Sequence, residues 1–129
     1  MKGFVDDIEQ LTEDNEDFRR VLYTGKHLQL VLMALKPGED IGEEVHDDRD
    51  QFFRVEQGVG DVLIDGQRHA IKDDDAIIVP AGARHNVVNT GDESLKLYTL
   101  YGPPEHRDGV VQRTKADVKE EHFDGKTTE

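Results

Sequence analysis

The feature that most constrains this chain is a series of short apolar runs, set at regular intervals by turn-forming residues. Phe18 to Thr24 and His27 to Lys36 come first. Ile41 to His46, Gln51 to Glu56, Val59 to Asp65, Gln67 to Lys72, Ala76 to Pro80, Arg84 to Asn89 and Leu95 to Tyr101 follow. Between them stand Pro37-Gly38, Asp47-Asp48, Gly58, Asp65-Gly66, Asp73 to Asp75, Gly82 and Thr90-Gly91. Many short β-type runs at this spacing predict an all-β sandwich or barrel. Asp65-Gly66 predicts a tight type I′ hairpin, which requires positive φ at both positions. Gly58-Val59-Gly60 reads as another hairpin turn, because no helix follows it to make a phosphate loop. The run from Leu28 to Leu35 is apolar on both faces, with Leu28, Leu30, Leu32 and Ala34 on one and Val31, Met33 and Leu35 on the other. Such a strand is expected between two layers or at a subunit contact.

The ends differ from this middle. Asp6 to Asp17 is acidic and suits a short helical turn or a loop. Thr114 with Asp117 three residues later resembles a capping box with a shortened acid, predicting a brief polar helix through about Glu121. Gly125 to Glu129 reads as a frayed tail. The whole reads as one domain: an N-terminal segment and first strand (1–26), a barrel (27–101), and a C-terminal loop, short helix and tail (102–129).

Sixteen basic against twenty-nine acidic residues give a net charge of −13, and the Lys and Arg are scattered. Nucleic acid and anionic membranes are bound by clustered positive charge, so neither is an expected partner. No apolar run is long enough for a membrane helix, the first residues lack a signal-peptide core, and there is no Cys. A thiolate nucleophile and a zinc-thiolate site are thereby excluded, and the cytoplasm is the expected compartment. No Ser stands in a Gly-x-Ser-x-Gly setting.

Two spaced blocks carry the chemistry. Gly38 is followed by five residues, then Glu44, Val45 and His46; four residues lead to Gln51 and six more to Gly58. Asp74 is followed by five residues, then Pro80, one residue, Gly82, two residues, His85, three residues and Asn89. These blocks resemble the paired motifs of the cupin superfamily, G-x5-H-x-H-x3,4-E-x6-G and G-x5-P-x-G-x2-H-x3-N. The resemblance covers about residues 27 to 101. It implies a double-stranded β-helix, that is, a jelly-roll barrel with short N-terminal strands and a short C-terminal helix. Cupins of this type hold a divalent metal with three His and one Glu. Carried onto this chain, the ligand positions are Glu44, His46, Gln51 and His85, so two of the family's residues are replaced.

Glu44 and His46 share one face of a strand by the period of two. Gln51 shares its face with Phe53 and Val55. Two imidazoles with a carboxylate suit iron, manganese, nickel or zinc, and Gln is a weak neutral fourth donor. Placing the motif two residues later, with Asp48 as a ligand, spoils the spacing on both sides. The competing reading makes His46 and His85 hydrogen-bonded core residues, but it strands Glu44 as a buried carboxylate. Gln29, Phe53 and Tyr98 are further candidates for lining the pocket. His27, His69, His106 and His122 read as surface residues.

Lys36-Pro37-Gly38-Glu39, Asp50-Gln51-Phe52-Phe53-Arg54-Val55 and Tyr101-Gly102-Pro103-Pro104-Glu105-His106 resemble small stand-alone cupins of the mannose-6-phosphate isomerase-like group. That resemblance implies a metal-dependent enzyme of the sugar or sugar-phosphate isomerase type. A dioxygenase and a non-catalytic ligand-binding module are the alternatives. With Glu44 as the one ionised ligand, a divalent ion leaves the site locally positive, so an anionic or polar small molecule is the expected ligand. A homodimer is the expected assembly, since the doubly apolar strand needs cover.

Overall fold

The computed structural model describes residues 1–129. A short helix, α1 (Ile8–Asp14), precedes ten strands: β1 (Arg19–Thr24), β2 (Gln29–Leu35), β3 (Glu44–Val45), β4 (Asp50–Gln57), β5 (Val59–Ile64), β6 (Gln67–Lys72), β7 (Ala76–Val79), β8 (Arg84–Asn89), β9 (Leu95–Gly102) and β10 (Val111–Gln112). They form two antiparallel sheets, in the orders β10-β1-β2-β9-β4-β7 and β3-β8-β5-β6. Val31, Met33, Leu35, Phe53, Val55 and Leu97 from the larger sheet meet Val62, Ile71 and Val87 from the smaller one in a single core. This is the all-β jelly-roll barrel expected from the sequence. No helix is long and apolar enough to cross a membrane.

Local chemistry explains the joints. Asp65 and Gly66 both take positive φ, +48° and +82°, as a type I′ turn between β5 and β6 demands. Asp74 stands where the family motif has Gly, and its φ is +73°. That left-handed position tolerates Asp better than most residues, and Arg54 Nη2 holds the Asp74 carboxylate at 3.1 Å. Gly60 is not part of a turn; it lies within β5, opposite Ile71 and Asn89. A Cβ there would stand 2.4 Å from the Val88 carbonyl oxygen and 2.9 Å from Leu95 Cδ2.

The chain ends are more ordered than the sequence suggests. Asp7 Oδ1 caps α1 by accepting the Gln10 amide at 3.1 Å. Lys96 Nζ, on the outer face of the larger sheet, donates to the Glu13 carbonyl at 2.5 Å, so α1 covers part of that face. The C-terminal helix is only a 3-10 turn, Lys115–Asp117. Asp117 does bond back to the Thr114 amide at 3.1 Å, but the backbone turns extended at Val118 instead of continuing to Glu121. The tail is docked rather than frayed: Thr128 N–H donates to the Thr24 carbonyl at 2.9 Å, and Thr24 N–H to Thr128 Oγ1 at 2.7 Å.

Close approach at Gly60 makes a specific demand. The Gly60→Ala variant is expected to unfold at lower urea, with a loss of about 1–3 kcal/mol from forced backbone displacement. Equal midpoints for variant and wild type would contradict the tight packing described.

Candidate metal centre

The site lies at the barrel end where β3 finishes, β4 and β8 begin and β9 ends. Glu44 on β3 pairs directly with His85 on β8, so the two side chains share one face. His46 lies just beyond β3, where its carbonyl accepts the Gly82 amide at 2.8 Å. Asp50 orients the same turn, accepting the Ala81 amide at 2.8 Å. Gln51, in the opposite sheet, alternates inward with Phe53 and Val55. Asp48, the ligand of the alternative register, is 72% exposed and pairs with Arg49.

Donor atoms of Glu44, His46 and His85 all lie within 4.8 Å of one another. Glu44 Oε2 is 2.8 Å from His46 Nε2, yet that buried nitrogen makes no properly directed hydrogen bond. His85 Nδ1 is 3.1 Å from the Ala83 carbonyl, and Nε2 is 3.0 Å from Gln51 Oε1. The orientation of Gln51 follows from its neighbours. Thr99 Oγ1 donates to the Phe52 carbonyl at 2.8 Å, so it accepts from Gln51 Nε2 at 3.0 Å. Oε1 of Gln51 must therefore face His85.

A neutral imidazole has one N–H and here meets two acceptors. Burial holds the His85 pKa below the ordinary histidine value, against the Ala83 carbonyl that favours the charged ring. One lone pair of the ring therefore confronts the lone pair of an oxygen. A cation resolves that conflict. Ligands on neighbouring vertices of an octahedral ion with bonds of about 2.1 Å sit about 3.0 Å apart. Glu44, His46 and His85 thus form a candidate site for a divalent ion, with Gln51 Oε1 beside His85 and the orphaned His46 Nε2 beside Glu44.

The surrounding charges are mixed. Burial pushes the Glu44 carboxyl up, but the contact with His46 and the charges of His46, Arg19 and His85 outweigh it and hold the pKa below the usual carboxylate range. The Glu44 carboxylate raises the His46 pKa, against burial and with help from Glu105. Glu105, nearly buried, receives Arg49 Nη1 at 2.8 Å and stands 3.6 Å from His46 Nδ1 and 3.5 Å from His122 Nδ1.

The other candidate residues divide. Phe53 faces inward, its ring centroid 6.4 Å from that of His85. Gln29 is not a pocket wall. Fully buried, it spends its amide on the chain behind the pocket: Nε2 donates to Thr24 Oγ1 (2.9 Å) and the His106 carbonyl (2.7 Å), while Oε1 accepts the Glu105 and His106 amides (3.2 and 2.9 Å). Tyr98 is also displaced from its expected role. It points to the outer face, opposite Arg54 and beside Phe52, because strand alternation gives the inward positions of β9 to Leu97, Thr99 and Tyr101.

Sequence reasoning missed Arg19, Arg49, Glu105 and His106. All but Arg49, together with Glu44, His46, Lys115, Lys119 and His122, line a cavity of about 400 Å³ at this end of the barrel. His27 and His69 are exposed as expected, and His122 is 68% exposed beside Glu105. His106 is half-buried, 3.3 Å from the Tyr101 hydroxyl. Arg19 was legible, since the period of two puts it on the inward face of β1 with Val21.

Residues 31–101 match the cupin domain. The chain belongs to the cupin family. A Bacillus subtilis protein, the uncharacterized YrkC, is 50% identical over 123 residues, 91% of this chain and 66% of that protein. The chain thus spans just under two thirds of that relative. The uncharacterized protein L612 of Acanthamoeba polyphaga mimivirus is 39% identical over 113 residues, 84% of this chain and 70% of its own length. The crystal structure of BH2720 from Bacillus halodurans is 48% identical with a TM-score of 0.88, covering 90% of this chain and 92% of that one.

His106 gives the cupin site a pH dependence. Burial, then the charges of Arg19 and His46, push its pKa down to about 3. A group whose pKa falls on folding lends stability above its unfolded value and loses it on acidification. Metal-free protein is therefore expected to lose stability from about pH 6.5 towards pH 3, and His106→Gln to lose less over that window. His46, with its raised pKa, acts in the opposite sense in both proteins. Parallel urea-stability curves for the two would contradict the assignment.

Proposed function

We propose that this cupin is a metal-dependent enzyme of the sugar or sugar-phosphate isomerase type, acting on a small anionic molecule. The observation that carries the reading is His85, whose two ring nitrogens both meet acceptors, the Ala83 carbonyl at 3.1 Å and Gln51 Oε1 at 3.0 Å, beside the Glu44–His46 contact. Glu44, His46, Gln51 and His85 would hold the ion. The donor set of two imidazoles, a carboxylate and an amide oxygen suits zinc, iron, manganese or nickel. Once bound, such an ion supplies Lewis acidity that polarises a substrate carbonyl. Thr99 keeps the Gln51 oxygen turned to the centre. Glu105 is the buried carboxylate of the cavity outside the ligand set, held by Arg49. It would take a proton from the hydroxyl-bearing carbon beside the carbonyl and return it to the former carbonyl carbon, while the hydroxyl proton passes from one oxygen to the other.

Elemental analysis combined with turnover tests this reading. Wild type is expected to bind about one divalent ion per chain. His85→Ala should lose it, and Thr99→Val should weaken it by about tenfold, the low end for a residue that orients a ligand. Glu105→Gln should keep the metal and lose aldose–ketose phosphate interconversion by about 100-fold. Metal without any such turnover would sink the isomerase reading in favour of a ligand-binding module. Oxygen uptake by the iron-loaded protein would instead mark a dioxygenase.

The assembly is a second proposal, a homodimer through the outer face of the larger sheet. Tyr23, Leu30, Leu100, Phe52 and Ile78 are cross-strand neighbours in one row across β1, β2, β9, β4 and β7. Ile78 is 69% and the adjoining Leu28 54% exposed. A second copy would bury this row. Sedimentation is expected to give a dimer for wild type and a monomer for Ile78→Lys; a wild-type monomer at every concentration would refute it.

A further inference from the structure

Arg19 is the one arginine of this chain that is both buried and without a carboxylate partner. Arg20, Arg49, Arg54, Arg68, Arg84 and Arg107 all form ion pairs, and Arg113 is exposed. Arg19 is 4% exposed. Its single hydrogen bond goes from Nη1 to the neutral Gln112 Oε1 at 2.8 Å, its Nε is buried with no partner, and its guanidinium sits 5.4 Å from the Phe18 ring. A buried guanidinium left in this state is expensive unless an anion joins it.

Its position says where that anion would come from. The side chain projects from β1 into the cavity shared with Glu44, His46, Glu105 and His106. Its charge is felt at Glu44, Tyr101 and His106, helping to lower the pKa of Glu44 and of His106. None of these groups satisfies it. Glu44 is drawn to His46 at 2.8 Å, and Glu105 is taken by Arg49 at 2.8 Å. Arg19 therefore enters the cavity with no carboxylate bonded to it and with donors to spare. Guanidinium groups grip phosphate and carboxylate through paired N–H donors.

We propose that Arg19 is the anchor for the ligand's anionic end: the cavity takes a small molecule bearing a terminal oxyanion, phosphate or carboxylate, bound to Arg19 while its other end faces Glu44 and His46. This rests on the reading of the cavity as a substrate site, yet the anchor is a property of Arg19 and does not need the metal.

Calorimetric titration with inorganic phosphate and, separately, with acetate tests it on the full chain, with metal content measured on each sample. Wild type is expected to bind at least one of the two probes, and preference between them identifies the anionic group. Arg19→Gln should bind at least about tenfold more weakly, the worth of one charge-assisted hydrogen bond. Gln112→Glu leaves Arg19 in place but gives it an internal carboxylate, and should weaken the probe by a similar factor. That second variant decides the matter if Arg19→Gln fails to fold. Binding unchanged in either folded variant, or no binding of either probe by wild type, overturns the anchor. Protein that holds no metal and takes none up, yet binds phosphate through Arg19, would refute the metal reading and leave this one standing.

Discussion

Every buried polar group in a barrel must find a partner or leave free energy unrecovered, and in this molecule the demand is met around Asn89 and left open at the other end. Most of the interior is Val, Leu, Ile, Met and Phe, which ask only for close packing. At the mouth the inward positions pass to Glu44, Gln51, His85, Thr99 and Tyr101. There the Thr99 hydroxyl proton goes to Phe52, which fixes Gln51, which in turn leaves its oxygen against His85. One proton assigned in the backbone of β4 thus decides the polarity of an atom across the barrel. The conflict it creates is local, and it lies where donor atoms of Glu44, His46 and His85 already converge.

The loop after β9 obeys the same constraint from outside. Leaving β9, the chain brings Glu105 and His106 over the mouth, bridged on one side to His122 and open on the other. Gln29 supplies the missing backbone partners, with both ends of its amide engaged. A buried Gln with four satisfied contacts is a structural joint. Its burial, which the pattern of β2 predicts, is what removes it from the pocket wall.

How legible this was depends on the kind of residue. Strand positions, the Asp65-Gly66 hairpin and the inward set Gln51, Phe53 and Val55 follow from alternation and turn chemistry, both of which are local. The convergence of Glu44, His46 and His85, with Gln51 beside His85, follows from motif spacing, which encodes the barrel's register. The placement of Glu105 and His106 does not, since nothing local tells whether a Pro-rich loop folds across a barrel end or away from it. Tyr98 failed because its face depends on the register of β9, where Leu97 and Tyr101 claim the inward side. Arg19 is the instructive case: alternation with Val21 pointed it inward, but a charged residue read on its own is assigned to solvent.

The burial of Arg19 bears on the overall charge of −13. A strongly acidic surface would repel an anionic ligand if charge acted uniformly. It does not, because exposed charges are screened beyond about 8 Å at physiological salt. Within the cavity the near charges count. There Glu105 is paired with Arg49, and Arg19, Lys115 and Lys119 stand with Glu44, Glu120 and Glu121 before any metal is added. A divalent ion at the Glu44 side would tip that balance to clearly positive, without altering the acidic exterior. An acidic exterior and a cavity that favours an anion at Arg19 are therefore compatible, because burial decouples the two fields.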